Sequence, residues 1–172
     1  MGSRIFNCDE TAFFLSPSDN KVLVRRGQKI VHNIINSSEK ENITALIMAN
    51  AAGQMAPPMV VVRLGKTLRE SVPPSWAIGK SENGWMTNQT FYEYITGVFY
   101  PWLIESKIQF PIVLYLDGHV SHLTLPLSEF CMKKRIELVA LYPNSTHFLQ
   151  PMDVALIHPL NLNGRNKFIN GE

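Results

Sequence analysis

An uninterrupted apolar run, Pro111–Leu116, and a mainly apolar one, Ile136–Leu141, alternate with segments of helical spacing, and this alternation limits what the chain can fold into. A continuous apolar run is the pattern of a strand covered on both faces of a sheet. Before the first run, Phe91, Tyr94, Ile95, Val98, Phe99, Trp102 and Leu103 recur with helical period. Thr87 or Asn88 is available as the N-cap, and Pro101 should kink or restart the helix. Between the runs, Thr124–Arg135 reads as a second helix, apolar at Leu127, Phe130 and Cys131 and basic at its end. A strand–helix–strand unit within one sheet crosses over right-handed.

The first half has a different rhythm. Arg4–Asp9 reads as a strand, and Lys21–Arg26 as a short strand stopped by Gly27. Ile43–Met48 and Met55–Leu64 flank Ala51-Ala52-Gly53-Gln54, which predicts a β-hairpin. The polar stretch Lys66–Asn83, with Pro73-Pro74, Gly79 and Asn83-Gly84, predicts a loop. Antiparallel strands followed by a βαβαβ-like half define an α/β chain with one mixed sheet and helices on its faces. This order resembles the ribonuclease-H-like fold, in which Asp9 and Asp117 would lie on adjacent strands. A final short helix is expected to begin near Asp153.

Size and composition permit one soluble-type globular domain. At 172 residues the chain can bury about two-thirds of its unfolded surface. Its 45% apolar and 17% charged content is that of an ordinary globular protein rather than a disordered one. No apolar run approaches the roughly 20 residues of a membrane span, so no membrane partner is expected. Cys8 and Cys131 make no disulfide framework and read as small buried hydrophobes. A net charge of +2 permits a nucleic-acid partner without pointing to one.

The chemistry concentrates at three aspartates. Asp9 and Asp117 close apolar strands, and Asp153 opens a short apolar stretch after Pro151. Carboxylates gathered from distant strand ends supply the hard oxygen ligands that Mg²⁺ or Mn²⁺ prefers. His119 and His122 add Asp-x-His-x-x-His to the second site, but a closed zinc site wants four ligands and neither cysteine is suitably spaced. These histidines are expected instead to hydrogen-bond the carboxylate or touch a DNA backbone. Glu10 follows Asp9 in the strand, so it points to the opposite face and is not expected to be a ligand. Arg25, Arg26, Lys29, Lys133, Lys134 and Arg135 are candidate phosphate contacts, each weighed against an ordinary solvated surface. Trp76 and Trp85 are expected to pack in the core or a loop, with base stacking as the alternative.

Three blocks carry a family resemblance: Asn7-Cys8-Asp9-Glu10-Thr11, Leu116-Asp117-Gly118-His119-Val120-Ser121-His122, and Pro143-Asn144-Ser145-Thr146-His147-Phe148-Leu149-Gln150-Pro151-Met152-Asp153-Val154. In this order they resemble the catalytic blocks of DDE superfamily endonucleases, nearest the pogo, Tigger and jerky transposases of the mariner class. The resemblance implies a ribonuclease-H-like domain over residues 4–160, followed by an irregular tail over 161–172. It implies that Asp9, Asp117 and Asp153 form a catalytic triad that binds two Mg²⁺ or Mn²⁺ ions, with Asp9 bridging them. Gln150, like His119 and His122, would support the carboxylates or contact DNA. DNA cleavage and strand transfer in the nucleus are the implied activity.

Two features of the family are not found in the sequence as read. No helix-turn-helix reader precedes Met1, and Asn161-Leu162-Asn163-Gly164 ends the last helix near His158-Pro159. The chain therefore reads as a truncated member, with a homodimer or another transposase chain expected to supply DNA-end recognition. The alternative is a domesticated or degenerate transposon-derived protein that binds nucleic acid or a partner without catalysis. A nuclease of the same fold acting on RNA–DNA hybrids is disfavoured by the long Gln150-Pro151-Met152-Asp153 block.

Overall fold

A computed structural model of the chain describes residues 2–14, 42–65, 72–117, 123–141 and 151–152. The expected strand Lys21–Arg26, most of the helix near Asp153 and the 161–172 tail lie outside them.

Six strands form one mixed sheet in the order β4-β3-β2-β1-β5-β6. They are β1 (Ile5–Phe14), β2 (Asn42–Asn50), β3 (Met59–Arg63), β4 (Ala77–Ser81), β5 (Ile112–Leu116) and β6 (Ile136–Ala140). The pairs β1–β2 and β2–β3 are antiparallel, whereas β1–β5 and β5–β6 are parallel. The early antiparallel set and the placement of β5 beside β1 are as the sequence predicts.

Three expectations need correction. First, β1 does not stop at Asp9, because its ladder with β2 runs from Phe6–Asn50 to Phe14–Asn42. A polar Glu10-Thr11 step looks like a strand end, but the partner strand supplies hydrogen bonds beyond it. Second, part of the expected loop Lys66–Asn83 is strand β4, paired in parallel with all five residues of β3. Gly79 has no side chain, and a Cβ there would lie 2.5 Å from the Met59 Cε. A glycine that weakens a strand by propensity leaves room here for the Met59 side chain to pack. Third, β6 is an edge strand with Glu137 and Val139 exposed, so an apolar run is not covered on both faces.

The helical run restarts as an α-helix at Tyr100, with Pro101 in the first turn of that last segment, one of the two outcomes expected of the proline. It comprises α1 (Asn88–Tyr94), a π-helical segment (Ile95–Phe99) and α2 (Tyr100–Glu105). Thr87 caps it: its side chain accepts a hydrogen bond from the Thr90 N–H at 3.2 Å, while the Thr90 hydroxyl accepts one from the Thr87 N–H at 2.8 Å. Pro101 offers no N–H, and the wider turn just before it accommodates the missing bond, with the Tyr100 N–H donating back to the Ile95 carbonyl. Helix α3 (Leu125–Lys133) starts one residue after Thr124, whose hydroxyl accepts from the Leu127 N–H.

The main core lies between one face of the sheet and these helices. Phe6, Cys8, Leu46, Met48, Met59 and Val61 meet Phe91, Tyr94, Ile95, Phe99 and Leu103. Phe6 stands edge-on to Phe99 at 5.2 Å and to Trp102 at 6.1 Å. Such pairs add about 0.5–1.5 kcal/mol beyond their area burial. The helix wall thus fixes β1 by Phe6 and Cys8, leaving the odd-numbered residues Asn7 and Asp9 on the other face.

Candidate active site

The site grows from the end of the parallel β1–β5 ladder. Its pairs are Ile5–Val113, Phe6–Leu114 and Asn7–Tyr115, after which β1 goes on beside β2. Asp9 and Asp117 keep the same spacing of 108 residues as Asn7 and Tyr115. Both thus lie two residues beyond the last pair of the ladder, Asp9 within β1 and Asp117 just past the end of the neighbouring β5. The carboxyl end of a parallel strand, at the point where the sheet is built outward in both directions, is a recurrent place for ligand sites. Both aspartates are half-buried. One carboxylate oxygen of Asp9 accepts the Glu10 N–H at 2.8 Å, which holds its side chain against the strand.

The local field is negative. Burial pushes the Cys8 thiol well above its ordinary range, and the charges of Glu10, Asp9 and Asp117 push it further. Cys8 is packed in the core on the opposite face of β1. Oxygen donors on adjacent strands, partly open to solvent and of like charge, suit a hard divalent cation, which would relieve that field. Among the described residues no group of three His, Cys, Asp or Glu is assembled into a metal cluster. Asp153, His119, His122 and Gln150 lie outside the described residues.

The segment just before Asp153 does reach the site. Pro151 and Met152 are helical, and the buried Met152 donates its backbone N–H to the Asn7 Oδ1 at 3.0 Å. Asn7 in turn donates from Nδ2 to the Tyr115 carbonyl at 3.1 Å. Sequence reasoning passes over Asn7, although a polar residue at the period-two position of an apolar strand is a visible signal.

Other candidates separate. Lys134 lies over the Tyr100 ring at 4.7 Å and near the Phe130 ring at 5.9 Å, so its ammonium is engaged in packing. Trp76 and Trp85 stand in loop segments with 40% and 43% of their surface exposed, so of the two packings expected of them the core one does not hold. Arg25, Arg26 and Lys29 lie outside the described residues.

Comparison with known proteins bears on the family. The model of the DDE superfamily endonuclease family matches residues 40–171, and the chain belongs to that family. The human Pogo transposable element with KRAB domain is 25% identical over 168 residues, covering 98% of this chain and 27% of that protein. An MFS-type transporter, clz9, of Cochliobolus lunatus is 30% identical over 164 residues, 91% of this chain and 17% of the transporter. The chain thus spans less than a third of the curated relatives it matches. Among the described residues no helix is long and apolar enough to cross a membrane.

Solved structures of Mos1 transposase share the fold. A pre-cleavage Mos1 transpososome aligns over 94% of this chain and 42% of its own, with TM-score 0.60 and 13% identity. The Mos1 catalytic domain aligns over 94% and 60%, with TM-score 0.57 and 12% identity. A Mos1 paired-end complex with Mn aligns over 94% and 42%, with TM-score 0.59 and 15% identity. Together with the family match, they make this a DDE superfamily endonuclease domain whose mixed sheet has the ribonuclease-H-like fold of the Mos1 catalytic domain.

Proposed function

We propose that this chain is the catalytic domain of a DNA transposase, cleaving phosphodiester bonds with Asp9, Asp117 and Asp153 and two bound Mg²⁺ or Mn²⁺ ions. The observation that carries the proposal is the placement of Asp9 and Asp117 just past the end of the β1–β5 ladder, beside the tethered segment before Asp153. When bound, the ions polarise the attacking oxygen and stabilise charge on the departing one.

The residues divide the remaining work. Asp9, central in the sheet, would hold both ions, and Asp117 and Asp153 would each help to hold one of them. Without cations the carboxylates repel a phosphodiester, so DNA engages only after the metals are held. Cys8 is no nucleophile, because its thiol is buried, strongly protonated and directed into the core. His119, His122 and Gln150 support the carboxylates or contact the DNA backbone. In this reading the protein acts in the nucleus, joins a freed 3′-hydroxyl to target DNA, and relies on a second copy or a longer transposase for end recognition.

The test is nicking of supercoiled plasmid in Mn²⁺ or Mg²⁺ by the wild type and by Asp9→Ala, Asp117→Ala and Asp153→Ala. Metal-dependent nicking lost in all three variants supports the proposal. Cleavage by the wild type no faster than by the variants overturns it. Plasmid binding without cleavage would leave the non-catalytic, DNA-binding alternative.

A further inference from the structure

We propose that Asn7 is the positioning residue that aligns the three acid-bearing segments, an inference that rests on the metal-dependent reading above. Its carboxamide is one rigid plane with a donor at one end and an acceptor at the other. The donor end takes the Tyr115 carbonyl at 3.1 Å, two residues before Asp117. The acceptor end takes the Met152 N–H at 3.0 Å, one residue before Asp153. Asn7 itself precedes Asp9 by two residues and shares its face of β1. One side chain therefore touches all three segments, each within two residues of an aspartate.

The partners fix the orientation of the amide. A backbone N–H can only donate and a carbonyl can only accept, so Oδ1 must face Met152 and Nδ2 must face Tyr115. The Met152 bond also answers a local need. The first N–H groups of a helix have no partner within the helix, and Pro151 has none to offer. The N–H of Met152 is buried where water cannot serve it. Asn7 satisfies it across 145 residues of sequence. The bond holds the backbone at Met152, the residue next to Asp153.

No other common side chain reproduces this. Asp keeps the acceptor but loses the donor to Tyr115, and Ser is too short to reach both backbones. Leu has the right volume and makes neither bond. A residue that only stabilised the fold would not be required to act through Asp153, and that difference can be measured.

The experiment is Mn²⁺ binding by calorimetry to the full chain, with folding checked by circular dichroism. The variants are Asn7→Leu, Asp153→Ala and the double substitution. Asn7→Leu should weaken Mn²⁺ binding roughly tenfold, at the low end for residues that orient metal ligands. In the Asp153→Ala background the same change should cost less than about twofold, because the acid it positions is gone. Equal losses in both backgrounds, or an Asn7→Leu affinity within twofold of the wild type, would overturn the role of Asn7 alone. Failure of the wild type to bind Mn²⁺, or indifference to Asp9→Ala and Asp117→Ala, would sink the metal reading and this one with it. Should Asn7→Leu not fold, Asn7→Asp carries the test. It keeps the Met152 acceptor, so its effect should be nearly the same in both backgrounds, and strong coupling to Asp153 would contradict the assignment of the two amide ends.

Discussion

The Tyr94 hydroxyl donates to the Pro57 carbonyl at 3.0 Å, joining the helical wall to the connection between β2 and β3. Tyr94 is fully buried in the core, with Cys8 on the face of β1 opposite Asp9. Replacing it with Phe strands a carbonyl that proline geometry holds in place. Tyr94→Phe should therefore cost about 1–3 kcal/mol of stability in urea titrations while leaving Mn²⁺ affinity unchanged. A stability change below about 0.5 kcal/mol would show that the bond is readily replaced by water.

Asn50 organises the β2–β3 turn with four hydrogen bonds. Its Nδ2 donates to the Ser3 carbonyl and the Gln54 Oε1, and its Oδ1 accepts from the N–H groups of Ala52 and Gln54. Asn50→Ala should destabilise by about 2–3 kcal/mol, since several groups lose partners at once. Gln54→Ala removes one of the four and should cost under about 1 kcal/mol. Equal losses would mean that the turn is held by its backbone rather than by this amide.

At Gly79 the obstacle to a side chain is mainly the terminal methyl of Met59, with a Val61 methyl at 3.4 Å. A methionine tip can swing aside, and Ala restricts the unfolded chain, so Gly79→Ala should lie within about 1 kcal/mol of neutral. Gly79→Val adds bulk that Val61 cannot evade and should cost about 1–3 kcal/mol. Thermal melts of the two variants separate these cases, and a severe loss in Gly79→Ala would place the constraint in the backbone.

Two buried thiols set the alkaline limb of stability. Burial pushes Cys131 up to about 12 from an ordinary 9.0, and Cys8 is raised well above 9.0 by burial and by the neighbouring carboxylates. Below pH 9 both are protonated whether the chain is folded or not, so they impose no pH dependence. As pH rises from 9 toward 12 the unfolded chain releases protons that the folded chain retains, and stability falls. Cys131→Ala should flatten this slope in urea titrations between pH 9 and 10.5. An unchanged slope would assign it to other groups.

Asp9 and Asp117 are both acidic and stand on neighbouring strands, Asp9 within β1 and Asp117 just past the end of β5. In metal-free protein Asp117→Asn should melt no lower than the wild type, because one of two like charges disappears. Mn²⁺ at a hundredfold excess over its Kd should stabilise the wild type by about 2.7 kcal/mol and Asp117→Asn by far less. Differential scanning calorimetry with and without the ion reads both effects. A metal-free loss of several degrees in Asp117→Asn would make Asp117 a structural residue.

Hydrophobic period alone is enough to locate β5, α1 and α3, because a buried stripe must repeat with the geometry of the element that carries it. The right-handed crossover then puts Asp117 beside Asp9. Where residues are chosen for a neighbour rather than for their own element, the sequence is silent. Gly79 breaks the look of a strand because Met59 fills its space, and Glu10-Thr11 looks terminal because β2 is 30 residues or more downstream. The π-helical segment before Pro101 is a wider turn that local pattern does not encode. Asn7 is overlooked for the same reason: its partners are backbone atoms of two remote segments, and backbone atoms leave no mark in a sequence.

The bond between Asn7 and Met152 also orders events in time. Residue 7 leaves the ribosome 145 residues before its partner, which at about 5–20 residues per second is a delay of roughly 7–30 s. A nascent chain can pair its strands during that interval but cannot dock the segment bearing the third acid. On the proposed function, the enzyme is unable to cut nucleic acid until the chain has been made past Asp153. Ribosome-stalled chains ending at residue 150 should accordingly bind Mn²⁺ weakly, and tight binding there would show that the tether is dispensable.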